Sequence, residues 1–361
     1  MSKAPRDLVR EEILASSAYH VAPAQGVTKL DAMENPYRLP ADVAAAMGAR
    51  LAEVAVNRYP DPAYGPLKAR LREALGIPAG LELVLGNGSD EIILMLSLAL
   101  ARPGAVVLAP EPSFVMYRVS GTAAGMRYVG VSLNDDFTLD EARLLEAIAR
   151  HRPALTWLAY PNNPTGNLFP REALLRIVAA SPGLVAIDEA YFPFSGGATL
   201  MDEVGRHPNL VLVRTVSKLG FAGLRLGFAA GPADWMGELE KVRPPYNVNV
   251  LTAAAAEFLL GHREVFDEQA RRIVAGRALL ETGLDGIAGV RRFPSAANFV
   301  LARVPDGPRA FEALKARGIL VKSLHGMHPL LANCLRLTVG TSDENAKLLE
   351  ALASNLGQSH A

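Results

Sequence analysis

"LVAIDEAY", residues 184 to 191, is a run of four apolar residues that passes directly into two carboxylates. An extended segment apolar at successive positions has no polar face, so it belongs in a sheet covered on both sides, the setting of parallel strands. The same kind of run recurs at "LELVLG" (81–86), "AVVLAP" (105–110), "RYVGVSL" (127–133), "LTWLAYP" (155–161), "LVLVRTVSK" (210–218) and "LRLGFAAG" (224–231), with helical stretches between several of them. Seven such runs predict an α/β fold built on a mostly parallel, doubly wound, seven-stranded sheet with helices on both faces.

The chain has 361 residues, half of them hydrophobic, enough for two domains or one large domain with an appendage. Residues 1–30 read as an N-terminal arm that packs on the small domain or a partner subunit. Residues 31–245 read as the large domain. The two prolines in "KVRPPYNVNV" (241–250) break a helical pattern, and residues 246–361 read as a smaller α+β domain. That unit begins with a long helical stretch over 252–282, continues through "VRRFPSAANFVLARV", "GILVKSL" and "CLRLTVGT" as strands, and closes with "SDENAKLLEALASNL", N-capped by Ser342 or Asp343.

Lys plus Arg and Asp plus Glu both number 37, and no long block of one sign offers a footprint for nucleic acid or an anionic membrane. The longest apolar run, "IILMLSLALA" (92–101), is too short to span a bilayer. One cysteine, Cys334, leaves no internal disulfide and suits a reducing, cytoplasmic setting.

Ligands of open α/β sheets bind beyond the carboxyl ends of the strands, so the residues just after each run carry the functional question. "GNGSDE" (86–91) follows one strand with glycines and a helix start, an arrangement that offers backbone N–H groups to an anion. "PNNPTG" (161–166), "DEAY" (188–191) and "VSK" (216–218) follow three others. Each has a plain reading taken alone: a helix cap, a good turn, a solvated lysine. Other chemistries lack their motifs. No Gly-Lys pair exists to build a P-loop, Glu91 stands where a dinucleotide site needs its third glycine, and no G-x-S-x-G elbow is present. His325 and His328 have no cysteine pair or second histidine motif beside them to make a metal site.

Together the strand ends suit one cofactor, pyridoxal 5'-phosphate. It needs an amine for a Schiff base, a carboxylate to keep its pyridine nitrogen protonated, and N–H and cationic donors for its phosphate. The ordered series "NNPTG", "DEAY", "SK" and "GLRLG" resembles the fold type I pyridoxal-phosphate-dependent aminotransferases, over about residue 30 to the end. That resemblance implies a catalytic set of Lys218 (Schiff-base lysine), Asp188 (partner of the pyridine nitrogen), Asn163 and Tyr191 (contacts to the 3-oxygen). It places Gly88, Ser89, Asp90, Ser217 and Arg225 around the phosphate and Phe114 against the ring. Tyr59, in "NRYPDP", matches a tyrosine that reaches the neighbouring subunit's cofactor, which implies a homodimer with shared sites. Lys218 and Arg225 are one residue closer than in the commoner pattern, a tighter turn that Gly220 and Gly223 would permit.

Within that class, "LDAMENPY", "NRYPDP", "GNGSDEII" and "CLRLTVGT" resemble the histidinol-phosphate aminotransferases. The implied reaction moves an amino group between L-glutamate and imidazole acetol phosphate. Arg336 would clamp the substrate anion, with Tyr19, Asn35 and Lys322 as further substrate contacts. Lys322 stands where some members have a second arginine, and it keeps the charge but not the fork. An aromatic or broad-range aminotransferase, or a decarboxylase of a phosphorylated amino acid, would share the cofactor residues.

Overall fold

The computed structural model describes residues 4–18 and 25–357. Its strands are β1 (Thr28–Leu30), β2 (Glu82–Gly86), β3 (Val106–Glu111), β4 (Arg127–Ser132), β5 (Leu155–Ala159), β6 (Leu184–Asp188), β7 (Leu210–Thr215), β8 (Gly227–Gly231), β9 (Arg291–Arg292), β10 (Phe299–Arg303), β11 (Ile319–Ser323) and β12 (Cys334–Thr338). Its helices are α1 (Glu11–Leu14), α2 (Ala41–Ala52), α3 (Gly65–Leu75), α4 (Ser89–Leu100), α5 (Met116–Ala123), α6 (Glu141–His151), α7 (Arg171–Ala180), α8 (Ala233–Val242), α9 (Val250–Leu260), α10 (Arg263–Asp285), α11 (Gly307–Ala316) and α12 (Ser342–Gly357).

All seven apolar runs enter one sheet, in the order β2-β8-β7-β6-β5-β3-β4. Pairing is parallel from β4 through β3, β5 and β6 to β7, and β8 is antiparallel to both β7 and β2. β5, β6 and β7 are buried at every position, as a sheet covered on both faces requires. From β3 the chain steps outward to β4, then returns and steps the other way through β5, β6 and β7. The order therefore reverses between β3 and β5, and a crevice opens there at the carboxyl ends.

A second sheet, β1-β11-β12-β10-β9, forms the smaller unit. β1 pairs in parallel with β11, Thr28 opposite Ile319, so the last residues of the expected arm are a strand of that sheet. The boundary expected at 246 is corrected. The long helical stretch is two helices, and the first of them, α9, packs on α2 and α3 of the larger unit. Pro244 and Pro245 end α8 without ending the domain, because α9 carries Ala256, Leu259 and Leu260 into the large core. The crossover lies inside α10: Phe266 joins the large core, while Ile273, Leu280 and Leu284 join the small one. The cap of α12 is also corrected to Thr341, whose Oγ1 accepts the Glu344 N–H at 3.3 Å while its own N–H donates to the Glu344 carboxylate at 2.7 Å, a capping box.

Candidate active site

A cavity of about 390 Å³ sits at the carboxyl ends of β3, β5, β6 and β7. Ser89, Asp90, Phe114, Asn163, Asp188, Tyr191, Ser217, Lys218 and Arg225 all line it, so residues spread over some 140 positions meet in one place. Ala32, Met33 and Glu34 close it from the strap between β1 and α2.

Asp188 ends β6 and Glu189 follows it, and adjacent residues of an extended chain point to opposite sides. Asp188 faces the cavity floor. Its Oδ2 accepts the Tyr117 hydroxyl at 2.7 Å and its Oδ1 accepts the Ala190 N–H at 3.0 Å. Burial pushes its carboxyl up to about 6, opposed by the Tyr117 and Ala190 hydrogen bonds. Tyr117 is itself buried and stacked on Trp157 with ring centroids 4.7 Å apart, so its hydroxyl is held in place. Burial and the Asp188 charge push its phenol well above the ordinary value, and it stays a donor. Glu189 turns to the far side, where Arg214 donates to its Oε2 at 2.7 and 3.1 Å and Leu200 N–H donates to its Oε1 at 2.7 Å. That ion pair anchors the strand end beneath the site.

Lys218 follows β7 in a short 3-10 turn (Ser217–Leu219), and its Nζ donates to the Ala32 carbonyl at 3.2 Å. Burial first, then the Arg336 charge, lowers its ammonium from 10.5 to about 8. The Nζ lies 5.9 Å from the Tyr191 ring centroid.

At the opposite end, the first turn of α4 opens with Gly88 as N-cap, with no side-chain cap for its N–H groups. Arg225 Nη1 donates to Ser217 Oγ at 3.4 Å, and its Nη2 donates to Asp90 Oδ2 at 3.3 Å. The shortened Lys218–Arg225 loop folds as two consecutive 3-10 turns joined at Gly220, with φ 132°. Gly223 has an ordinary φ; the second left-handed position is Arg225 itself, at φ 49°. Gly88 does not line the cavity. It makes room instead, because a Cβ on it would stand 2.6 Å from Arg225 Nη2.

Arg336, on β12, donates from Nη1 to Asn163 Oδ1 at 2.7 Å and from Nη2 to the Asp31 carbonyl at 2.8 Å. Asn163 is thereby oriented with its amide nitrogen as the remaining donor. Lys322 is the cross-strand partner of Arg336. It lines an adjoining cavity of about 190 Å³ that shares Met33, Phe114 and Asn163 with the first.

Two expected contacts lie elsewhere, and a third is not among the described residues. Asn35 does not line either of these two cavities: its Nδ2 donates to the Leu219 carbonyl at 3.1 Å and to Gln269 Oε1 at 2.8 Å, and its Oδ1 accepts the Tyr37 N–H. It ties the strap to the lysine loop and to α10. Tyr59 is outside the cavity of its own chain, 80 % exposed and stacked on Tyr246 at 4.5 Å. Tyr19 lies outside the described residues. Sequence reading missed Tyr117 and the Ala32 carbonyl. For Tyr117 a signal existed, since it stands three residues after Phe114 and so one turn along; a backbone carbonyl leaves none.

An amine, a buried carboxylate and an amide face one cavity, with a donor nest of Ser89, Ser217 and Arg225 at its end. This donor set fits pyridoxal 5'-phosphate: Lys218 for the aldehyde, Asp188 for the ring nitrogen, the nest for the phosphate. Among the described residues no cluster of three or more His, Cys, Asp or Glu could hold a metal ion, and no helix is long and apolar enough to cross a membrane.

Fold and site together fit a pyridoxal-phosphate-dependent enzyme, and the sequence comparison gives the class. Residues 25–352 match the family model of aminotransferase class I and II, and the chain belongs to that family. Its place within the family is with the histidinol-phosphate aminotransferases. It is 56 % identical over 347 residues to "Histidinol-phosphate aminotransferase" of Chromobacterium violaceum, covering 96 % of this chain and 97 % of that one. It is 54 % identical over 354 residues to "Histidinol-phosphate aminotransferase 2" of Cupriavidus pinatubonensis, covering 97 % and 96 %. The fold is that of the Sinorhizobium meliloti histidinol-phosphate aminotransferase crystallised with pyridoxal-5'-phosphate, with a TM-score of 0.86, 24 % identity and 98 % of each chain covered.

Proposed function

We propose that the protein uses pyridoxal 5'-phosphate to exchange an amino group between L-glutamate and imidazole acetol phosphate, forming 2-oxoglutarate and L-histidinol phosphate. The observation that carries this reading is the placement of Lys218 and Asp188 in one cavity, in a chain that shares more than half its residues with proteins named for that activity.

When bound, the cofactor supplies an aldehyde and a pyridinium ring that stabilises negative charge on the substrate Cα. Asp188, its two oxygens oriented by Ala190 and Tyr117, would hold the proton on the ring nitrogen. Lys218 moves the proton off the substrate Cα, and its lowered ammonium pKa makes the free amine available near neutral pH. Asn163, fixed by Arg336, and Tyr191 hold the 3-oxygen. Ser89, Ser217, Arg225 and the backbone at Asp90 hold the phosphate, and Phe114 covers the ring. Arg336 takes the carboxylate of glutamate with its charged fork.

The working unit is a homodimer in which Tyr59 reaches the partner's cofactor phosphate. The exposed Tyr59–Tyr246 stack supports this, since apolar rings of that size are normally covered. A cytoplasmic setting suits the buried Cys334 thiol. The test is a paired assay of the purified protein with L-histidinol phosphate, L-phenylalanine and L-aspartate as donors to 2-oxoglutarate. The expected result is a preference of at least about a hundredfold in kcat/KM for the first, the scale of one hydrogen bond to a buried charged group. Equal use of phenylalanine makes it an aromatic or broad-range enzyme. Carbon dioxide released from a phosphorylated amino acid, with no glutamate formed, makes it a decarboxylase.

A further inference from the structure

The two amino donors carry their anions at different reach. The glutamate α-carboxylate is bonded to Cα, whereas the phosphate of L-histidinol phosphate hangs from a CH2–O, two atoms further out. The two cavities meet at Asn163, which lines both and is held there by Arg336 from the second. A phosphate that reaches past it enters the second cavity of about 190 Å³, where Lys322 offers a point charge and no fork.

Resting on the function proposed above, we propose that Arg118, on α5, supplies the second guanidinium for the substrate phosphate, in the role Lys322 cannot fill. Arg118 lines that cavity together with Lys322 and Arg336. Its Nη2 donates to the Glu111 carboxylate, and its guanidinium lies 4.8 Å from the Tyr128 ring centroid. Glu111 ends β3 and Tyr128 is the second residue of β4, the adjacent strand of the large sheet, so the guanidinium is braced from two sides before substrate arrives. Bracing removes part of the ordering cost of a long side chain, and a guanidinium has five donors, more than these two partners engage. The lining also fits in kind: Arg118, Lys322 and Arg336 border the same cavity, so a phosphate entering it meets cationic side chains from α5, β11 and β12. Burial, with the Glu111 charge, raises the Tyr128 phenol, which keeps its proton beside that carboxylate.

The competing role is an ion pair that only ties α5 to β3, since the Arg118 side chain is 55 % exposed. The deciding experiment compares L-histidinol phosphate, L-histidinol and L-glutamate in the wild type, Arg118→Leu, Arg118→Lys and the Arg118→Leu/Lys322→Arg double variant. A phosphate role predicts that Arg118→Leu lowers kcat/KM for L-histidinol phosphate about ten- to thirtyfold, mainly through KM, as removal of one charge-assisted hydrogen bond does. L-histidinol and L-glutamate should stay within about twofold, Arg118→Lys should fall between, and Lys322→Arg should restore most of the activity by returning a fork to the cavity. An equal fall with all three donors, or no fall with L-histidinol phosphate, overturns the assignment of Arg118. A wild type that does not distinguish L-histidinol phosphate from L-histidinol overturns the functional reading and this inference with it; a wild-type preference that survives Arg118→Leu overturns this inference alone.

Discussion

Tyr117 and Lys218 show how burial sets the chemistry one residue at a time. The Tyr117 hydroxyl opposes the upward push of burial on Asp188, so Tyr117→Phe raises that carboxyl further and weakens its hold on a protonated ring nitrogen. The expected outcome is a fall in kcat of about tenfold or more with the fold intact, because a hydrogen bond to a charged group contributes about 1.5–3 kcal/mol; steady-state assays and circular dichroism check it. Lys218 gives a pH signature in the cofactor-free protein. Its ammonium is lowered to about 8 in the folded chain against an ordinary 10.5, so between those values the unfolded chain binds the extra proton and stability rises with pH. The effect is on the order of 3 kcal/mol. Thermal melts of the apoprotein from pH 7 to 11 should show this rise, and Lys218→Ala should abolish it while raising the melting temperature at pH 7. The same variant should retain no cofactor on the polypeptide after borohydride treatment and denaturation.

At the scale of elements, the phosphate end depends on two loops that meet. The loop after β7 reaches Arg225 one residue early by adopting left-handed backbone at Gly220 and Arg225, and the loop after β2 yields to the guanidinium at Gly88, φ 84°. Gly88→Ala meets both obstacles, an unfavourable φ and a Cβ 2.6 Å from Arg225 Nη2. Cofactor affinity should fall by about tenfold or more, and the apoprotein should lose about 1–3 kcal/mol to the strained backbone, while the Cβ contact is relieved because Arg225 is half-exposed and can swing away; a cofactor titration followed by absorbance and a thermal melt of the apoprotein measure the two effects. The loop was legible only in part: the spacing and the glycines are in the sequence, but the choice of Arg225 over Gly223 as the strained position depends on where the Ser217 and Asp90 partners stand. The helix over 252–282 misled for a related reason. Prolines mark where a helix stops, whereas domain membership is decided by which core receives the apolar face, and α10 serves both.

For the whole molecule, the proposed shared site makes a prediction about assembly. Tyr59→Phe should weaken cofactor retention, and a mixture of Tyr59→Phe and Lys218→Ala chains should recover activity, since one of the two sites in each hybrid then carries both native residues; an active monomer by light scattering would refute it. What the sequence by itself determined is the large sheet and which residues stand at its strand ends. Burial on two faces leaves uninterrupted apolar runs, and a parallel sheet delivers the residue after each run to one edge, so Asn163, Asp188 and Lys218 could be read from local pattern. Only the tertiary structure decided the contacts that join distant segments: Tyr117 on Asp188, the Ala32 carbonyl on Lys218, Arg336 on Asn163, and Asn35 spent on Leu219 and Gln269. The physical reason is that periodicity reports which face of an element is buried, while a hydrogen bond between residues far apart in sequence depends on how the elements pack, which no local pattern encodes.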